Sequence, residues 1–197
     1  MNLIKGFIIC SLLLINFNQS KAQIFFKTHP GINPYQFETV KEKLFKHAAV
    51  TSAHPLASMV GAAILQDGGN AFDAAIAVHF ALAVVHPAAG NIGGGGFMTL
   101  WFDGKPYFLD YRETAPAKAH RDMYLDADKQ NIPHLSLVGH KESVEPCTVM
   151  RQWQAHQRFG SLPWPELLKP AIGYAKNGFI VAENQYQYRA DLLQQLE

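Results

Sequence analysis

Cysteine is nearly absent from this 197-residue sequence, which holds only Cys10 and Cys147. Cys10 sits inside an apolar run that reads as a removable leader. Cys147 is then left alone, which excludes an internal disulfide framework. Neither sign of charge is in excess. There are 17 basic and 16 acidic side chains, and 15 against 16 once Lys5 and Lys21 leave with the leader. No basic stripe remains to neutralise phosphates, so nucleic-acid binding is not expected. The apolar run from Gly6 to Phe17 is too short to span a bilayer as a helix. No internal repeat is present. What the sequence does have is 48% hydrophobic, 17% charged and 12% aromatic residues, a globular composition with material for a dense core or an apolar pocket.

Residues 1–22 read as a secretory signal. Lys5 supplies the positive start, Gly6 to Phe17 the apolar centre, and Ser20 and Ala22 the small residues two apart that a signal peptidase accepts. A short membrane anchor is the alternative, but no stable anchor is expected. Too little chain precedes Cys10 for a lipid-attachment site. The expected location is the periplasm or the exterior of a bacterium. Residues 23–47 form an N-terminal extension in which Pro30, Gly31 and Pro34 mark irregular structure.

From residue 48 the pattern becomes regular. Ala48 to Ser52 reads as a short buried strand, broken at His54-Pro55. Leu56, Met59, Val60, Ala63 and Ile64 recur at helical spacing and stop at Gly68-Gly69. Asn70 is placed to cap a helix from Ala71 to Val85, whose polar interruptions are Asp73 and His79. A helix apolar on nearly every side is buried on nearly every side. Gly93-Gly94-Gly95-Gly96 follows, a costly run that makes sense where φ is positive or where something approaches the backbone closely. Phe97 to Phe102, Asp103-Gly104 and Tyr107 to Tyr111 form a predicted hairpin. Residues 117–147 read as loop. Thr148 is placed to cap a helix ending at Phe159, Pro165 opens another reaching Asn177, and a last helical pattern starts near Asn184 with Leu192, Leu193 and Leu196 on it.

The residues alone define a narrow chemistry. The glycine run follows a helix and opens a strand, which is the reverse of a phosphate loop, and it lacks the Lys-Ser/Thr. His79 and His86 lie two turns apart without carboxylates at ligand spacing, so no metal site is expected. His54 and His86, each before a proline, are expected to hydrogen-bond locally, and His140 and His156 to face solvent or be structural. No Gly-x-Ser-x-Gly elbow is present, and Cys147 has no neighbour that would activate it. Tyr111-Arg112-Glu113 remains. A guanidinium at the end of a strand either reaches a ligand carboxylate bidentately or forms a structural ion pair, and position alone leaves both open.

Several stretches together resemble the γ-glutamyltranspeptidase (glutathione hydrolase) family. They are Thr51-Ser52-Ala53-His54-Pro55-Leu56-Ala57-Ser58, Gly68-Gly69-Asn70-Ala71-Phe72-Asp73-Ala74-Ala75, the run from Pro87 to Met98, Asp110-Tyr111-Arg112-Glu113-Thr114-Ala115-Pro116, and the run from Ala155 to Trp164. Pro170-Ala171-Ile172 and Gly178-Phe179 close the set. The resemblance covers residues 48–182 in the family's order. It implies an α+β chain, the N-terminal fragment of an αββα N-terminal-nucleophile hydrolase sandwich, with residues 48–197 an incomplete part of the large subunit. It also implies a precursor that cuts itself, exposing a Thr nucleophile at the start of a small subunit outside this chain. No catalytic residue is then expected within 1–197. The implied partners are that small subunit, a γ-glutamyl donor such as glutathione, and an amino acid or dipeptide acceptor. No cofactor is expected. By the motif, Arg112 holds the donor's α-carboxylate, and Glu113 orients it or meets the donor's amino group. The glycine run is expected to be close packing behind the site.

The chain departs from the family at Val144 and Cys147, which stand where glycines flank the proline before the next helix. Two other readings stay open, a non-catalytic remnant or ligand- or partner-binding subunit, and an acylase of the same superfamily. Some apolar surface, including faces of the Ala71–Val85 helix and of the 98–111 hairpin, is expected to meet sequence outside this chain.

Overall fold

The computed structural model describes residues 21–39, 41–42, 44–136, 147–181 and 185–186, with backbone alone for 21–24. In chain order the elements are α1 (Lys21–Thr28), α2 (Pro55–Gln66), α3 (Ala71–Val85), β1 (Phe97–Phe102), β2 (Lys105–Asp110), α4 (Thr148–Phe159) and α5 (Trp164–Asn177). They divide between two compact units, residues 1–90 with 161–197, and residues 91–160. Most of the predicted leader, His140, Val144 and the predicted helix carrying Leu192, Leu193 and Leu196 lie outside the described residues.

The first unit is helical. Pro55, with its preset φ, opens α2, and His54 caps it by accepting the Leu56 N–H at Nδ1, 3.2 Å away. Leu56, Ala57, Val60, Ala63 and Ile64 point inward from α2. At Gly61 a Cβ would come within 2.6 Å of Val78 Cγ2 and 2.7 Å of Val50 Cγ1, so only glycine lets α3 pack this closely. The strand expected at 48–52 is not formed, and Val50 fills the space over Gly61 instead. Gly68, at φ 90°, turns the chain out of α2.

Asn70 then starts α3 with a reciprocal cap. Its Oδ1 accepts the N–H groups of Phe72 and Asp73 at 2.9 Å, while Asp73 Oδ2 accepts the Asn70 N–H at 3.0 Å. The helix bounds match those predicted, and α3 lies against α2 and α5. Its burial is less than all-round: Ala75 is exposed, and His79, Leu82, Ala83 and Val84 are half-buried. Phe80 meets Trp164 edge-on at 5.6 Å, and Tyr174 donates its hydroxyl to the Leu56 carbonyl at 3.3 Å, tying α5 to both neighbours. Phe26 of α1 rests on Gly173 and on the Tyr174 ring.

The His54 ring is buried between Phe37 and Phe179. Burial, with a smaller contribution from the nearby His86, lowers its pKa from the ordinary 6.5. The unfolded chain therefore takes up this proton at a higher pH than the folded one, and folding loses stability as pH falls below 6.5. Thermal midpoints measured against pH should fall more steeply on the acid side in the wild type than in His54→Asn, which keeps a cap acceptor without a titrating ring.

The second unit carries the sheet. β1 and β2 pair antiparallel from Phe97↔Asp110 to Phe102↔Lys105. The turn residues Asp103 and Gly104 both have positive φ, at 49° and 72°, the geometry that matches strand twist in a two-residue hairpin loop. The ladder continues one step past β1, with Gly96 and Tyr111 exchanging N–H···O bonds at 3.2 and 3.0 Å. As expected, the hairpin has an uncovered apolar face, where Phe97, Trp101 and Phe108 stand exposed. On α4, Thr148, Gln152, Ala155 and Phe159 form the buried stripe together with His156. Phe159 meets Tyr107 and Phe102 edge-on at 5.0 and 5.5 Å. His156 is structural, stacked on Trp153.

Candidate substrate-binding site

The polar residues singled out in the sequence lie in the second unit, where the glycine run forms a floor. None of Gly93 to Gly96 takes positive φ. Close approach is therefore the reason for Gly94, Gly95 and Gly96. A Cβ on Gly95 would lie 2.7 Å from the Glu113 nitrogen and 2.9 Å from Glu113 Oε2, and would collide with the Tyr111 carbonyl. A Cβ on Gly96 would press on the Tyr111 ring at 3.0–3.1 Å. The Tyr111 ring and carbonyl and Glu113 thus lie directly on bare backbone.

Behind that floor is a layer the sequence reading missed. Gly94 donates its N–H to Asn91 Oδ1 at 2.8 Å, and its carbonyl accepts the N–H groups of Cys147 and Thr148 at 3.1 and 2.9 Å. Thr148, predicted as a helix cap, is instead the first residue of α4. Its hydroxyl proton is shared between the Gly94 carbonyl at 2.6 Å and Asn91 Oδ1 at 3.2 Å. Cys147 occupies the cap position without a side-chain cap bond. A threonine before a helix signals a cap locally. Only its proximity to a residue 54 positions earlier redirects it.

Arg112 and Glu113 are brought together. Arg112 Nη1 lies 3.3 Å from Glu113 Oε2, and the Arg112 N–H donates to Asp110 Oδ1 at 3.0 Å. The two side chains differ sharply in exposure, 67% for Arg112 and 19% for Glu113. The Glu113 pKa is held below the ordinary carboxylate value, first by its own backbone N–H and then by the Gly95 N–H and the Arg112 charge, with burial working against them. The pair is therefore a fixed anion carrying a guanidinium whose outer face is open. Such a guanidinium keeps donors available for a second carboxylate. Among the described residues, no three His, Cys, Asp or Glu side chains gather as a metal site.

The mixed helix-and-hairpin structure is that of part of an N-terminal-nucleophile hydrolase of the γ-glutamyltranspeptidase type. It matches the γ-glutamyltranspeptidase from Pseudomonas nitroreducens, solved in complex with L-DON, with a TM-score of 0.73 and 57% identity over 77% of this chain and 45% of that one. The family model described as Gamma-glutamyltranspeptidase matches residues 57–197, and the chain belongs to this family. It is 61% identical over 143 residues to the glutathione hydrolase proenzyme of Pseudomonas aeruginosa, covering 73% of this chain and 26% of that protein. It is also 42% identical over 139 residues to the acylase ACY 1 proenzyme of Pseudomonas sp. (strain V22), covering 67% of this chain and 25% of that protein. The chain thus spans about a quarter of the length of these curated relatives.

Proposed function

We propose that the protein to which this chain belongs is a γ-glutamyl hydrolase and transferase acting on glutathione and related donors. The observation that carries this reading is the Arg112 guanidinium, paired with a Glu113 that lies on the glycine floor, yet open to solvent. A donor α-carboxylate fits that outer face bidentately. Glu113 orients the guanidinium, and its negative charge also suits the donor's α-ammonium.

The chemical step falls to a Thr at the start of a small subunit that partners this chain after self-cleavage. Its hydroxyl attacks the γ-carbonyl carbon while its own α-amine takes the proton, since an amine titrating near pH ~8 is a competent base. The C–N bond breaks, the departing amine takes the proton, and a γ-glutamyl ester remains. Water then releases glutamate, or the amine of an amino acid or dipeptide takes the acyl group. Arg112 holds the donor in register through both halves. In this reading residues 1–22 are an export signal, 23–47 an extension, and 48–197 part of the large subunit of a periplasmic or secreted enzyme.

The relative described as an acylase favours a second reading, cleavage of a different amide. Arg112 separates the two, because only an α-carboxylate donor needs it. The test is p-nitroaniline release from γ-glutamyl-p-nitroanilide by the protein expressed from its complete gene. Turnover supports the γ-glutamyl reading. No release, together with cleavage of an acyl side chain lacking an α-carboxylate, overturns it.

A further inference from the structure

A run of four glycines has more backbone freedom than any other four residues, so a floor built from it keeps one shape only where something holds it. The hold is concentrated on Gly94. Its N–H donates to Asn91 Oδ1 at 2.8 Å. Its carbonyl accepts three donors, the N–H groups of Cys147 and Thr148 at 3.1 and 2.9 Å and the Thr148 hydroxyl at 2.6 Å. The two N–H groups already match the two lone pairs of that oxygen, so the start of α4 is secured without the hydroxyl. The hydroxyl is nonetheless the shortest of the three contacts, on a side chain that is completely buried. The Gly94 carbonyl and the Gly95 N–H belong to one rigid peptide plane, so holding the oxygen also holds the start of Gly95. Glu113 rests on Gly95, where a Cβ would fall 2.7 Å from its nitrogen and 2.9 Å from Oε2. Gly96 exchanges both backbone bonds with Tyr111, and Glu113 Oε2 lies 3.3 Å from Arg112 Nη1. An unbroken series of contacts thus runs from the Thr148 hydroxyl to the guanidinium.

We propose that Thr148 is a positioning residue for donor binding: its hydroxyl locks the Gly94–Gly95 peptide, and the locked floor sets where Glu113 and with it the Arg112 guanidinium stand. The proposal rests on the γ-glutamyl reading for its consequence, while the lock itself stands on the contacts alone. With the floor locked, the guanidinium meets a donor carboxylate already in register. With the floor loose, part of the binding free energy goes into ordering it.

The test uses the protein from its complete gene, with Thr148→Val, which keeps the shape and loses the hydroxyl, and Thr148→Ser, which keeps the hydroxyl. Thr148→Val should raise the KM for γ-glutamyl-p-nitroanilide about fivefold, the worth of one net hydrogen bond, with kcat within about twofold. Thr148→Ser should stay within about twofold of the wild-type KM, because the bond is retained. In an Arg112→Ala background, Thr148→Val should change KM by less than about twofold, because both act through one link. A general loss of packing or stability would not vanish in that background. An unchanged KM in Thr148→Val, an equal rise in Thr148→Ser, or an equal rise in the Arg112→Ala background overturns the proposal. Hydrogen exchange followed by mass spectrometry reads the lock without substrate. Segments covering residues 91–97 should exchange faster in Thr148→Val than in wild type or Thr148→Ser, and unchanged exchange also overturns the proposal. If Thr148→Val does not fold, Asn91→Ala, which releases Gly94 from its other side, is put to the same readouts with the same outcomes. A wild type without γ-glutamyl turnover sinks the functional reading instead, and the exchange rates then decide by themselves whether Thr148 locks the floor.

Discussion

Arg112→Ala should raise the KM for γ-glutamyl-p-nitroanilide by about 30- to 100-fold, with a much smaller change in kcat. Two charge-assisted hydrogen bonds to a carboxylate are together worth about 2–3 kcal/mol at an open site, and each 1.4 kcal/mol is tenfold in affinity. The carboxylate is remote from the amide being cleaved, so the contact is the same in the ground state and the transition state. Its loss is then felt as binding. Arg112→Lys keeps the charge but loses the fork, and should recover only part of the affinity. The open face of the guanidinium is what makes the effect large. Were Arg112 committed to Glu113 alone, its removal would leave the donor KM near the wild-type value, and that result would remove Arg112 from the site.

Asp73→Ala should cost about 3–5 kcal/mol of folding stability, read as a lower denaturant midpoint of the protein from its complete gene. The Asp73 carboxylate is completely buried. It accepts the Asn70 N–H at 3.0 Å, the Ser161 N–H at 3.1 Å and the Leu162 N–H at 3.2 Å, as well as the Ser161 hydroxyl. Truncation strands these donors away from water, and each stranded group costs about 1–3 kcal/mol before relaxation. Asn70→Ala removes only the cap acceptor and should cost about 1 kcal/mol. Equal losses for the two substitutions would show that Asp73 serves the cap alone and that its bonds to residues 161 and 162 contribute nothing.

Asp73 also marks how far the sequence could be read. Asn70 was read as the cap from local spacing, but Asp73 was read only as a polar interruption of the helix, and its reciprocal bond to the Asn70 N–H came from the structure. Its bonds to Ser161 could not be read either, because nothing near Asp73 points to a residue 88 positions further on. The site divides in the same way. Arg112 and Glu113 were singled out from the motif around them, and the structure brings them side by side. Asn91 carried no local signal and went unnoticed. Thr148 was read for the wrong task, since a threonine before a helix has the same local pattern whether it caps that helix or bonds a distant loop.

What the sequence by itself determined is the short-range structure: α3 and its cap, the Asp103-Gly104 turn, the helix stop at Gly68, and the pairing of β1 with β2. Each follows from dihedral preference, side-chain reach or periodicity within a few residues. The tertiary structure alone decided what the glycine run is for. Four glycines in a row permit either positive φ or close approach, and sequence cannot choose between them. The choice is made by Tyr111 and Glu113 lying against Gly95 and Gly96, with the Asn91 side chain against Gly94. Steric exclusion acts between segments far apart in the chain, so it becomes visible only once the fold has set them in contact.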